Sequence, residues 1–226
     1  MSPSSRFPSR GALVGLLVTL SSCPTLVTVP QSCGTGANGQ VCMGQMQVPV
    51  DHAEKFRDGS RLAIDIVNSE AFATEVQRYM ETALRDPRYA TADWAGLASA
   101  EIVGGLRERL RGLQVTTYGG PWHYLRFRFA DNVAQDGGDS GPIRINRWAL
   151  PGWDGIDVGA SITHEASHRA GMTHDSGRKE CGPPYVLHAI MEKIARGSEW
   201  EWDEDNYCGS LRPTGGAVLG TELRSE

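Results

Sequence analysis

The 226-residue sequence has no apolar run long enough to cross a bilayer. Its most apolar stretch, residues 11–20 (GALVGLLVTL), falls well short of the ~20 residues that a membrane-spanning helix needs. An excess of basic charge is also missing. Twenty-two Lys and Arg stand against 27 Asp and Glu, a net charge of −5. That balance argues against a broad nucleic-acid surface, because phosphate contacts need clustered cations. The five cysteines include no CxxC pair, which makes a cysteine zinc cluster a weak reading. Internal repeats are absent, and 27 glycines with 12 prolines do not reach a low-complexity composition. What is present is a chain of one domain's length, 40% hydrophobic, able to bury a sizeable core.

Arg6 and Arg10 precede the apolar stretch with no acid near them, the layout of a signal peptide over residues 1–23. Leu20-Ser21-Ser22-Cys23 follows. This tetrapeptide resembles the bacterial lipobox, in which small residues precede a cysteine that is lipidated and begins the mature chain. The resemblance implies an exported cell-envelope lipoprotein attached to the membrane only through Cys23; an ordinary secretory signal would release the protein instead. Removing residues 1–22 takes away two arginines and no acid, leaving 20 basic against 27 acidic side chains, a net −7. Cys33, Cys42, Cys181 and Cys208 then remain, an even number that reads as two disulfides in an exported protein. Three pairings are open, and Cys33–Cys42 with Cys181–Cys208 is the most local.

Residues 24–40, rich in Pro, Thr, Gly and Ser, read as a flexible tether to a domain over 41–212, with 213–226 as a mobile tail. Residues 41–50 and 62–67 read as short strands. A helix is expected over 71–85, where Phe72, Val76, Tyr79, Met80 and Ala83 recur at helical spacing. A second is expected over about 93–111, with Ile102, Val103, Leu106 and Leu110 inward. Residues 124–129 alternate like a half-solvated strand, and 143–146 form another. Helices and mostly antiparallel strands in one unit give the α+β class, a single domain with a small sheet.

The chemistry concentrates in residues 164–175, HEASHRAGMTHD. On a helix His164 and His168 are four apart, so both imidazoles reach one metal ion from the same face. Glu165 lies about 100° round the helix from the first of them, able to touch a water at the ion without ligating it. Gly171 can take the left-handed conformation that ends a helix and turns the chain, bringing His174 to the same ion. Three protein ligands with a water make an open, catalytic zinc site. Upstream, Asp154 or Asp157 can cap the helix.

The motif HExxHxxGxxHD resembles the extended zinc motif of the metzincin metallopeptidases, and GMTHD is locally similar to the adamalysin form. The resemblance implies a zincin-like fold, zinc as cofactor, His164, His168 and His174 as ligands, Glu165 as general base and a polypeptide substrate. Metzincins also carry a methionine turn beneath the metal. Met191 is the candidate, but Val186, Leu187, Ile190, Met191 and Ile194 keep helical spacing, which favours a helix there. The aspzincins, deuterolysin-like peptidases, are the second resemblance, with Asp175 as the reserve third ligand. Tyr185, ahead of Tyr207 and His188, is the candidate donor to an oxyanion. Residues 125–129 or 143–146 could align a peptide by backbone pairing. Residues 199–205, five acids and two tryptophans, read as a solvated acidic face. The expected activity is a zinc metalloendopeptidase. The alternatives are a zinc amidase acting on cell-wall peptides and a non-catalytic zinc-binding interaction module.

Overall fold

The computed structural model describes residues 24–36, 39–85, 90–120, 134–135, 141–174 and 181–197. Cys23, Asp175, Tyr207, Cys208, the strand expected over 124–129, the acidic segment 199–205 and the tail 213–226 lie outside the described residues.

Among the described residues seven strands and five helices follow one another along the chain: β1 (Leu26–Val29), β2 (Cys33–Gly36), β3 (Gly39–Cys42), β4 (Met46–Pro49), α1 (Ala53–Asn68), α2 (Glu70–Thr82), α3 (Ser99–Leu110), β5 (Val115–Tyr118), β6 (Ala134–Gln135), β7 (Ile143–Asn146), α4 (Gly155–Arg169) and α5 (Pro183–Arg196). The main sheet has the order β1-β4-β5-β7-β6, and β2 and β3 form a separate hairpin. The β1–β4 and β6–β7 pairs are antiparallel, whereas β5 runs parallel to both β4 and β7. The fold class is α+β.

One core unites the helices and the sheet. Met46, Val48, Val115, Ile143 and Ile145 from the strands meet Phe56, Ile64, Phe72, Leu106, Ile162 and Leu187 from the helices, all buried. Helix α4 packs chiefly against α1 and α5. Its contact with α1 is close because both helices carry glycine where they cross. A Cβ on Gly159 would lie 2.7 Å from the Gly59 carbonyl oxygen and 2.5 Å from Met191 Cε. Lys55 Nζ ties α1 to the chain leading into α4, donating to the carbonyls of Leu150 (2.8 Å) and Trp153 (2.6 Å).

Three expectations are corrected. Residues 24–40 are not a tether within the described part, since β1 pairs with β4 and Val29 is 1% exposed. The glycines that suggested a linker permit close approach instead: a Cβ on Gly34 would lie 2.5 Å from Ile64 Cγ2 of α1. Residues 62–67 are helical, not a strand. Phe56, Gly59, Ser60, Ala63, Ile64 and Val67 are buried at helical spacing, and that longer period overrides the local β-branched run. The second expected helix begins late. A 3₁₀ turn, Ala92–Trp94, stands apart from α3, which starts at Ser99. Helix α2 and strand β7 fall where expected.

Candidate metal centre

Helix α4 is fixed at both ends by local sequence. Asp154 Oδ1 accepts from the backbone N–H groups of Ile156 (2.8 Å) and Asp157 (3.0 Å), while Asp157 Oδ2 accepts from Asp154 N–H at 2.7 Å. This reciprocal pair satisfies the free donors of the first turn. At the other end Gly171 has φ +86°. Its N–H donates to the His168 carbonyl (2.9 Å), and Met172 N–H donates to Ser167 O (3.1 Å). That left-handed cap sends the chain back along the helix end.

The turn brings His174 beside the helix-borne pair. One ring nitrogen from each of His164, His168 and His174 lies within 4.8 Å of the other two, so the three could hold a metal ion. Ring centroids are 5.1 Å apart for His164–His168, 4.9 Å for His168–His174 and 5.5 Å for His164–His174. Two of the rings are oriented by main-chain carbonyls. His168 Nδ1 is 2.9 Å from Met172 O, and a ring N–H of His164 donates to the Pro184 carbonyl. A ring nitrogen that donates to a carbonyl leaves the other with its lone pair outward, as metal-binding histidines require. Among the described residues His174 Nδ1 is buried without a hydrogen-bond partner. Glu165, 6% exposed, sits on α4 between the two helix-borne histidines.

Helix α5 supplies the facing wall. The Tyr185 ring lies 4.6 Å from that of His164 and 5.0 Å from that of His174, so it packs against the triad. His188, one turn on, is edge-on to His164 at 6.1 Å. Met191 is in the helix, as its spacing indicated, and forms no methionine turn; its methyl packs at Gly159.

Burial dominates the electrostatics. It drives His164 down to about 2, helped by the neighbouring His188, His168 and His174. It also lowers His188 to about 4, with Asp157 pulling upward and Arg196 downward. Both rings are therefore neutral near pH 7, the form that binds metal. Behind them runs a polar chain that the sequence reading did not assemble. His188 Nε2 is 3.8 Å from Glu192 Oε2, and Arg196 reaches Glu192 (3.5 Å), Asp157 (2.9 Å) and Asp154 (3.2 Å). The spacing of His188, Glu192 and Arg196, four residues apart, was a readable signal for the α5 part. Nothing local signalled the link to the α4 cap. Burial raises Glu192 and Asp157 despite the guanidinium, so one cation serves three carboxylates.

Other site expectations resolve as follows. Cys33 and Cys42 are disulfide-bonded across the β2–β3 hairpin. Cys181 is also disulfide-bonded, with its partner outside the described residues. Strand β7 lies between β5 and β6, with Arg144 and Ile145 paired on both sides, so it is not an edge strand; among the described residues β1 and β6 are the outer strands. No described helix is long and apolar enough to cross a membrane. No family model, curated protein or solved structure matches this chain.

Proposed function

We propose that this chain is an exported zinc metallopeptidase. The observation that carries the reading is the convergence of three imidazoles, two on one helix and one on its capping loop, with a buried glutamate between the first two. The donor set suits zinc, which accepts three imidazoles and keeps a fourth position open. His174 Nδ1, buried and without a hydrogen-bond partner among the described residues, fits an arrangement that is completed by an ion. Export is supported by the Cys33–Cys42 disulfide and the bonded state of Cys181, since such bonds persist in oxidising compartments. The lipobox-like sequence before Cys23 supports a lipid anchor.

His164, His168 and His174 would hold the ion. When bound, zinc supplies Lewis acidity that polarises a carbonyl and brings the pKa of water to about 7. Glu165 takes a proton from the attacking water and delivers it to the leaving amine nitrogen. The Tyr185 hydroxyl donates a hydrogen bond to the oxygen on which negative charge develops. Among the described residues β6 is an outer strand, and its backbone groups would pair with an extended peptide.

Purifying the full chain, measuring bound metal and assaying casein beside peptidoglycan peptides tests this directly. One zinc per chain is expected, with hydrolysis that Glu165→Gln abolishes without loss of zinc. Cleavage of the cell-wall peptides alone would transfer the same chemistry to the amidase reading. Zinc binding without Glu165-dependent hydrolysis of either substrate would leave an interaction module.

A further inference from the structure

Thr173 stands immediately before His174, and its Oγ1 donates to Asp93 Oδ1 at 2.5 Å. That length is typical of a hydroxyl bound to a carboxylate. Asp93 comes from far away in the chain, on the 3₁₀ turn Ala92–Trp94. Thr91 Oγ1 braces the same carboxylate at Oδ2, 3.3 Å away. The next residue makes a second hold. The buried Trp94 indole N–H donates to the Cys181 carbonyl at 2.7 Å, and the ring packs against Tyr79 with centroids 5.2 Å apart. One short turn therefore grips the chain at residues 173 and 181, on both sides of the position that follows His174.

The helix-borne ligands need no such grip. Helix geometry sets their spacing, and carbonyl oxygens fix their rings. His174 lies beyond the helix, so helix geometry does not set its place. Its position follows from the backbone that carries it. A loop left free would have to be ordered when the metal binds, and that entropy would be subtracted from affinity.

We infer that Asp93, acting through Thr173, is the positioning residue for the third ligand and sets how tightly the triad holds its metal. This rests on the reading of the triad as a metal centre. Asp93 touches neither metal nor substrate in this role; it holds the residue next to a ligand.

The test uses the purified full chain and its variants Asp93→Ala, Thr173→Val, Thr173→Ser and His174→Ala. Zinc affinity is measured by competition with a chelator, the visible spectrum of the cobalt-substituted protein reports coordination, and circular dichroism follows the fold. Asp93→Ala and Thr173→Val are expected to weaken zinc about tenfold, the low end for supporting partners of metal ligands. They should also change the cobalt spectrum towards that of His174→Ala. Thr173→Ser keeps the hydroxyl and should bind zinc like the parent. The double variant should be no weaker than either single one, because both remove the same bond. Thr173 is exposed, so its conversion to valine tests the idea without disturbing the core. Unchanged affinity and cobalt spectrum in both Asp93→Ala and Thr173→Val, beside a clear loss in His174→Ala, would overturn the positioning role and leave the triad standing. A parent chain that binds no zinc, or a His174→Ala variant that binds it equally well, would overturn the metal-centre reading and this inference with it.

Discussion

His164 and His168 are held within one helix, whereas His174 rides on the loop that follows, and the two arrangements draw on different parts of the chain. The helical pair depends on contiguous residues: the Asp154–Asp157 cap, the four-residue spacing and the Gly171 stop. The loop ligand depends on distant ones, with Asp93 holding Thr173 and the Trp94 indole holding the Cys181 carbonyl. A site built this way has one half set by contacts local in the chain and one half set by contacts between distant segments. The largest effects are expected at the ligands themselves. His164→Ala and His168→Ala should lower zinc affinity by more than the ~100-fold that bounds supporting residues. His168→Ala should have the larger effect, because it also releases the hydrogen bond to Met172 O that ties the loop to the helix. Equal losses in all three single variants, measured by chelator competition, would mean that the two halves are energetically alike.

This division also explains what could be read from the sequence. The α4 cap, the histidine spacing, the left-handed Gly171 and the helix through Met191 all follow from residues within one or two turns of each other. The departures have the opposite character. Residues 62–67 resemble a strand until Phe56 and Gly59 extend the helical period, and residues 24–40 resemble a linker until Gly34 is seen against Ile64. The partnerships of Asp93 with Thr173 and of Arg196 with Asp157 span 80 and 39 residues, so no local pattern announces them. Strand β7 has the composition of a strand, but whether its edges are free depends on neighbours from elsewhere in the chain.

The helical half can be loosened without touching a ligand. Gly159→Ala would place a methyl group 2.7 Å from the Gly59 carbonyl oxygen and 2.5 Å from Met191 Cε. The methionine end can swing aside, but the backbone of α1 cannot move alone. Overpacking of this kind costs about 3 kcal/mol, which for a domain of this size lowers Tm by about 10 °C. Thermal melting of the variant beside the parent checks it. An unchanged Tm would show that α1 and α4 separate more easily than their contact implies.

Acid should separate the halves more gently. His188, on the wall behind His164, is lowered to about 4 by burial, while Asp157 opposes the shift and Arg196 adds to it. An unfolded chain protonates this ring near 6.5, so between 6.5 and 4 the unfolded state binds the extra proton. Stability present above pH 6.5 is therefore lost as pH falls, at no more than about 1.4 kcal/mol per pH unit from this ring. Glu192 and Asp157 act in the opposite sense. Their carboxyls are raised, so the folded state takes protons first and gains stability as pH falls through the carboxylate range. Denaturant unfolding of metal-free protein at pH 6.5 and 5.5 should show a shallower acid loss in His188→Gln than in the parent. A parallel loss in both would remove His188 from the account.

The smallest expected effect sets two glycines against each other. Among the described residues nothing lies within 4 Å of where a Cβ would sit on Gly171 or on Gly104. They differ in backbone alone. Gly171 has φ +86°, at the turn that joins the helical half of the site to the loop, whereas Gly104 lies inside α3. Alanine at 171 meets the steric penalty of a left-handed conformation and should cost about 1 kcal/mol. Alanine at 104 removes the excess flexibility of a helical glycine and should stabilise by up to about 1 kcal/mol. Only the first should reach the metal: Gly171→Ala strains the turn leading to His174 and should weaken zinc modestly, while Gly104→Ala leaves affinity unchanged. The opposite signs in denaturant unfolding, with a zinc effect confined to one variant, would locate the sensitivity of the site in its loop. If both substitutions moved stability together and left zinc affinity alone, the turn at Gly171 would be a passive connection, and the third ligand would be held by the contacts around Thr173 without help from the helix cap.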